Sequence, residues 1–243
     1  MRLLLPAAAA AIAVILAGAS SAAARASAAC GAGTYASAGH GYAGFQSERR
    51  GHGIRATLTA LRENTVKQGQ IAAWVGVGGP GQGPNGVDEW LQVGLASFSG
   101  SPRTLYYEVM RPGADVAFSL LEENVARGDG RRVAVLELGG RPNWWRVWVD
   151  GRPASQPIHL PGSTRRWRPI ATAEAWDGGT RVCNRFAFRF EGVEVAAGRG
   201  GSWTRFRSGA RFQDRGYRLS LLDGRPGVRG VTSFVAASAT RRS

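Results

Sequence analysis

Most hydrolytic templates find no material in this 243-residue chain. It has no Gly-x-Ser-x-Gly elbow, no His-Glu-x-x-His helix, no Gly-x-x-x-x-Gly-Lys phosphate loop and no cysteine cluster. Of its three histidines, His40 and His52 fall in a Gly- and Ala-rich N-terminal stretch and His159 beside a proline-rich turn. A triad base or a zinc site therefore lacks partners, and all three are expected at the surface. Acid–base work is left to carboxylates and amides. Four segments set such groups among aromatics: Ala73-Trp74-Val75-Gly76-Val77-Gly78-Gly79, Trp90-Leu91-Gln92-Val93-Gly94, Leu105-Tyr106-Tyr107-Glu108-Val109 and Ala173-Glu174-Ala175-Trp176.

The elements that must hold these groups read as strands. Short β-rich runs separated by Gly, Pro and Asp cover 71–77, 89–96, 104–111, 116–121, 132–138, 144–149, 154–160, 169–176, 181–190, 192–197, 217–222 and 230–237. Asp150-Gly151 is a hairpin signal, and helical periodicity is almost absent. The pattern predicts an all-β, antiparallel β-sandwich. Alternation puts Trp90, Gln92 and Gly94 on one face and Leu91, Val93 and Leu95 on the other, with Gly94 leaving room for a ligand. Thr172, Glu174 and Trp176 likewise point one way and the alanines between them the other. Between Trp144 and Val149, at least one of the two faces is expected in the core. Residues 25–69 read as an irregular Gly/Ala-rich arm, with 55–62 ambiguous, and 70–238 as the sandwich.

In order and spacing the four segments resemble the glutamic peptidases (eqolisins, the G1-like peptidases), fungal acid endopeptidases built on a concanavalin-like jelly roll. Their signatures run Trp-Val-Gly-Ile, a Gln-x-Gly strand, an aromatic strand with a Glu, and Ala-Glu-Trp. The resemblance spans roughly residues 70–237 and implies a divergent, bacterial-type member. It implies that Gln92 and Glu174 are catalytic and that Trp74 and Glu108 line the cleft. Trp90 and Trp176, on the faces of Gln92 and Glu174, complete the expected substrate-binding set. Glu174 would take a proton from a water held between it and the Gln92 amide, then return it to the leaving nitrogen. No metal or other cofactor is required, and the substrate is a polypeptide. Acidic pH suits such a site, because a second carboxylate such as Glu108 is then neutral. Two departures stand out. Gly78 replaces the family's Asp, and Ala175-Trp176-Asp177-Gly178 replaces Trp-Ile-Val-Glu, displacing the Trp by one position.

A second class of function fits the same scaffold: a non-catalytic β-sandwich binding glycan or peptide on a Trp-lined concave face, with Trp144, Trp145, Trp148, Trp167 and Trp176 as stacking platforms. A glycosidase would instead pair two carboxylates, Glu108 with Glu174 if their strands are neighbours.

Export frames both readings. Met1-Arg2, an Ala-rich apolar run from Leu3 to Leu16, and Ala22-Ala23-Ala24 form a signal peptide over residues 1–24. Removing 24 of 243 residues leaves 219, enough for one sandwich domain and its core. No later stretch has transmembrane length, and the product is expected to be secreted and monomeric. In that compartment Cys30 and Cys183 suit a disulfide, two free thiols being the alternative. The net charge of +14 rests almost wholly on Arg, with Lys67 the single lysine. A GC-rich coding bias produces this, and the Arg residues are scattered, so specific nucleic-acid binding is not expected. A glycan or anionic cell-surface polymer fits the charge better.

Overall fold

The computed structural model describes residues 40–163, 167–176, 184–223 and 230–239. The leader, Cys30, Cys183 and Asp177 lie outside the described residues. Within them the chain is strand and turn, with two short 3-10 turns at Pro84–Gly86 and Pro161–Ser163. Among the described residues, no helix is long and apolar enough to cross a membrane.

The strands form two antiparallel sheets. One has seven strands: β1 (His40–Ser47), β3 (Gln70–Gly79), β4 (Glu89–Phe98), β5 (Thr104–Met110), β6 (Ala117–Glu122), β11 (Ile170–Trp176) and β14 (Ser208–Gln213), in the order β14-β1-β11-β3-β4-β5-β6. The other contains β2 (Gly53–Ala60), β7 (Gly130–Glu137), β8 (Trp144–Val149), β10 (Ile158–His159), β12 (Ala187–Ala196), β15 (Tyr217–Leu221) and β16 (Phe234–Ser238), in the order β10-β8-β7-β2-β12-β16-β15. Short β9 (Arg152–Pro153) pairs with β8, and β13 (Trp203–Arg205) with β12.

Alternation builds the core. Ile71, Ala73, Val75, Leu91, Val93, Ala171 and Ala173 point inward from the seven-stranded sheet, in one cluster with Leu58, Val133, Val135, Phe188 and Phe190 from its partner. Each fully buried large side chain contributes about 1.5–3 kcal/mol of transfer free energy. The small alanines of β3 and β11 set how closely the layers approach. In β8 the inward face is Trp145 and Val147, both with zero exposure. Asp150 and Gly151 both have positive φ, 49° and 80°, as a two-residue hairpin with the strand twist requires.

Two expectations are corrected. The N-terminal stretch read as an irregular arm carries two full strands, so the sandwich begins by His40 and not at residue 70. Glycine content concealed β1, yet its glycines mark close approaches: a Cβ on Gly41 would press on the Tyr217 ring and one on Gly44 on Thr172. The strands expected on either side of Gly192 are a single strand, β12. Its pairing with β2 shifts register between Glu191 and Glu194, where Gly192 adopts φ 59°.

Glu89 anchors the second of the short turns. Its side chain is fully buried, its Oε2 accepts the Gly162 N–H at 2.7 Å, and its Oε1 has no partner among the described residues. Burial raises this carboxyl from 4.5 to about 7, the Gly162 hydrogen bond opposing it. The folded chain thus holds the proton more tightly than the unfolded one. The associated stability is fully present below pH about 4.5 and is lost as pH rises through about 7, on the order of 3 kcal/mol. Chemical denaturation of Glu89→Gln should show a shallower loss of stability between pH 5 and 8 than the natural chain. An unchanged slope would contradict this account.

Candidate active site

The outward face of the seven-stranded sheet carries the candidate residues in four cross-strand rows. His40, Trp176, Gln70 and Phe98 form the first, and Tyr42, Glu174, Ala72 and Ala96 the second. Gly44, Thr172, Trp74, Gly94 and Tyr106 form the third, and Gln46, Ile170, Gly76, Gln92, Glu108 and Phe118 the fourth. Ala72, Trp74, Ala96 and Tyr106 pack there as a small apolar cluster with Tyr42, Phe98 and Ile170.

Glu174 is buried at 3% exposure, and both its oxygens are engaged. The Trp74 Nε1–H donates to Oε2 at 2.9 Å, and His40 Nδ1 lies 3.1 Å from Oε1. A carboxyl group held at both oxygens by ring nitrogens is fixed in orientation. Glu108 is half-buried and has a separate donor set: the Trp90 Nε1–H at 2.9 Å and the Gln92 amide at 3.5 Å, both to Oε1. Burial pushes its carboxyl up from 4.5 to about 7. The Trp90 hydrogen bond opposes the shift, Glu174 adds to it and His40 opposes it. Gln92 also donates to the Tyr106 hydroxyl at 3.2 Å. The Tyr106 and Tyr42 phenols are raised well above 10, by burial first and then by nearby carboxylates. Both phenols remain neutral in the site.

All six residues singled out from the sequence, Trp74, Trp90, Gln92, Glu108, Glu174 and Trp176, lie on this face. Gln92 and Glu174 share it without a mutual hydrogen bond. Their rows are four residues apart along β3, about 13 Å of strand, with Trp74 between them.

Other expectations fail. A Cβ on Gly94 would meet the Ala73 carbonyl and sit 2.7 Å from the Trp74 Cα, so this glycine admits the neighbouring strand and not a ligand. Gly78, at φ 83°, faces the Glu89 carbonyl and leaves no space for the Asp side chain of the resemblance. Glu108 and Glu174 are not on neighbouring strands, since β3 and β4 separate β5 from β11, which removes the condition for a glycosidase pair. Trp145 and Trp167 are no sugar platforms: both are buried, donating to Ser163 Oγ at 2.9 Å and to the Gln82 carbonyl at 3.2 Å. Trp144 stacks on His159 at 5.0 Å, and Trp148 lies on β8, in the opposite sheet from Glu174.

Two of the three histidines are not at the surface as expected. His52 is half-buried, with Nδ1 2.5 Å from Glu137 Oε2, and His40 is buried at 5% exposure. The signal for His40 was present in the alternation of His40, Tyr42, Gly44 and Gln46 against Ala43 and Phe45, masked by the surrounding Gly and Ala.

No family model matches the sequence, and no curated protein aligns with it significantly. Among solved structures, the chain is similar to scytalido-glutamic peptidase with a peptide-based transition-state analogue. The TM-score is 0.53 at 16% identity, over 83% of this chain and 98% of that one. SCP-B, a member of the eqolisin family of peptidases in complex with the tripeptide Ala-Ile-His, aligns at TM-score 0.47 and 13% identity over 83% and 98%. A Bacillus licheniformis β-glucanase aligns at 0.36 and 13% over 79% and 65%. The fold is therefore shared with scytalido-glutamic peptidase over nearly all of that enzyme.

The Trp90 indole is the hydrogen bond that restrains Glu108. In Trp90→Phe, the Glu108 carboxyl followed by ¹³C NMR should titrate above the natural value of about 7. A midpoint that does not rise would contradict the assignment.

Proposed function

We propose that this protein is a secreted, metal-independent endopeptidase that uses Glu174 and Gln92 to activate water for peptide hydrolysis. The observation that carries this reading is the Glu174 carboxylate, buried on an outward sheet face and held at both oxygens by Trp74 and His40. It stands at the Ala-Glu segment of a sandwich whose fold is shared with a glutamic peptidase. A carboxylate oriented by two ring nitrogens keeps its remaining lone pairs for a water. It abstracts the proton as the water oxygen attacks the scissile carbonyl, and returns it to the leaving nitrogen as the C–N bond breaks. General acid–base transfer of this kind is worth about 10²–10⁴ in rate.

Gln92 is the donor for the developing oxyanion. Its present contacts, 3.2 Å to Tyr106 and 3.5 Å to Glu108, are long and readily exchanged for a charged acceptor. That contribution is on the order of 10²–10³ in rate. Glu108, neutral below pH about 7, does not repel the oxyanion. A polypeptide lying along β3 between the rows of Glu174 and Gln92 is the substrate, and Trp90 and Trp176 flank it. Neither the leader nor the cysteine pair bears on this chemistry, but secretion suits a hydrolase of extracellular protein.

Digestion of an unfolded protein from pH 2 to 7 tests the reading. The purified chain should cleave, Glu174→Gln should lose essentially all cleavage, and Gln92→Ala should fall about 10²–10³-fold. No cleavage by the natural chain, or equal cleavage by both variants, would overturn it.

A further inference from the structure

At Phe98 the outward face meets a cavity of about 580 Å³ that the proposed chemistry does not use. It lies at one end of the sandwich, among the loops that follow β2, β4 and β6, and its wall includes Glu63, Asn64, Ser97, Phe98, Arg103 and Arg127. Phe98 belongs to both surfaces. It stands in the first row of the face, two residues along β4 from Ala96 in the row of Glu174, and its ring meets Phe118 edge-on at 5.7 Å.

Arg103 is a cation taken out of water. Its side chain is 5% exposed, and burial makes its proton easier to lose than usual, with Glu63 opposing that effect. Nη1 donates to the Val125 carbonyl at 2.9 Å and Nη2 to the Arg62 carbonyl at 3.4 Å, while Nε has no partner among the described residues. The carboxylate that answers this charge is held loosely. Glu63, with a side chain 75% exposed, sets Oε2 3.5 Å from Arg103 Nη2 and Oε1 3.9 Å from Arg127 Nε. A close pair of this type lies at about 2.7–2.9 Å, so Glu63 spans the two guanidiniums without a tight bond to either. Beside it, Asn64 donates to Ser97 Oγ at 3.0 Å, and its Oδ1 is buried with no partner among the described residues. Unpaired buried polar atoms are uncommon in folded chains, and two of them belong to residues of this one wall.

We propose that the cavity is a subsite for a carboxylate-bearing residue of the polypeptide substrate. Arg103 and Arg127 take the carboxylate, displacing Glu63, and Asn64 accepts a backbone N–H. The inference rests on a polypeptide being the ligand of the neighbouring face. An inorganic anion would satisfy the guanidiniums but bring no donor for Asn64, and a neutral sugar would bring no charge. A peptide residue brings both, a fixed distance apart. Glu63 is the chain's own stand-in, and its exposed side chain moves aside without disturbing the core. The carboxylate belongs to an acidic side chain or to the end of the peptide.

Calorimetry with the Glu174→Gln chain, which holds peptides without cutting them, tests this. One otherwise neutral sequence carries a single Glu, stepped through successive positions, or Gln in its place, each with a free or an amidated C-terminus. A carboxylate at the right place should tighten binding about tenfold over the amidated Gln peptide. A gain at one Glu position identifies an acidic side chain, and a gain with the free terminus identifies the chain end. Glu63 and Arg127 are exposed, so their variants keep the fold. Glu63→Gln removes the competing carboxylate and should raise the preference by up to about fivefold, and Arg127→Gln should lower it about threefold. Equal binding of all the peptides overturns the proposal. So does the same gain from Glu at every position, which the net charge of +14 alone would give, or a preference that either variant leaves unchanged. Cleavage by the natural chain without any carboxylate preference removes the subsite and leaves the peptidase reading. A preference in a chain that cleaves nothing removes that reading and leaves the subsite, and failure to bind any peptide removes both.

Discussion

A carboxylate taken out of water must have its charge answered, and most of what distinguishes this sandwich follows from how that is done for Glu174. Two ring nitrogens meet its two oxygens, one from β3 and one from β1. For Trp74 to reach it, β3 must lie beside β11 in the observed register, with Trp74 opposite Thr172. For His40 to reach it, β1 must pair on the other side of β11, which requires Gly44 to admit the Thr172 side chain. The alanines at 171, 173 and 175 then fill the inner layer behind the site. One buried carboxyl group thus couples three strands, and losing either partner leaves a polar atom unsatisfied, typically at about 1–3 kcal/mol.

The opposite sheet shows the same physics in a structural setting. Glu137 is buried and accepts from His52 at 2.5 Å, the Asn143 N–H at 2.7 Å and Arg199 at 2.9 Å. Burial is the largest single effect and pushes its carboxyl up, but the His52, Asn143 and Arg199 hydrogen bonds and the Arg199 charge together outweigh it and hold the carboxyl below the usual range. Its acceptor capacity is largely spent, so it offers little to a substrate. Glu174, with two donors and a neighbouring acid kept neutral, retains lone pairs. That difference in occupancy is what the proposed role of Glu174 draws on.

Much of this was legible in the sequence, unevenly. β3, β4, β5 and β11 each carry an apolar row at alternate positions, so their existence and the side on which Gln92 and Glu174 emerge could be read from period two, whereas Glu108 was placed by the resemblance. β2 alternates as well, with Ile54, Ala56 and Leu58 inward, but its short run between Gly-rich flanks was ambiguous. β1 was hidden because Gly41 and Gly44 resemble loop composition, whereas here they are steric necessities. The role of His40 was not readable, since it arises from a strand pairing 134 residues away in sequence. The separation of Gln92 from Glu174 by Trp74 was equally beyond reach, because it depends on register across two ladders.

The central claim is that this face stabilises a tetrahedral, charge-developing state and does more than hold a peptide. Calorimetric titration with a matched pair of peptides, one carrying a tetrahedral hydroxyl-bearing carbon at the scissile position and one an ordinary amide, addresses it directly. The account predicts that the tetrahedral peptide binds at least about 100-fold more tightly and that Glu174→Gln abolishes the difference. Equal affinity for the two peptides would contradict it and identify the face as a binding surface.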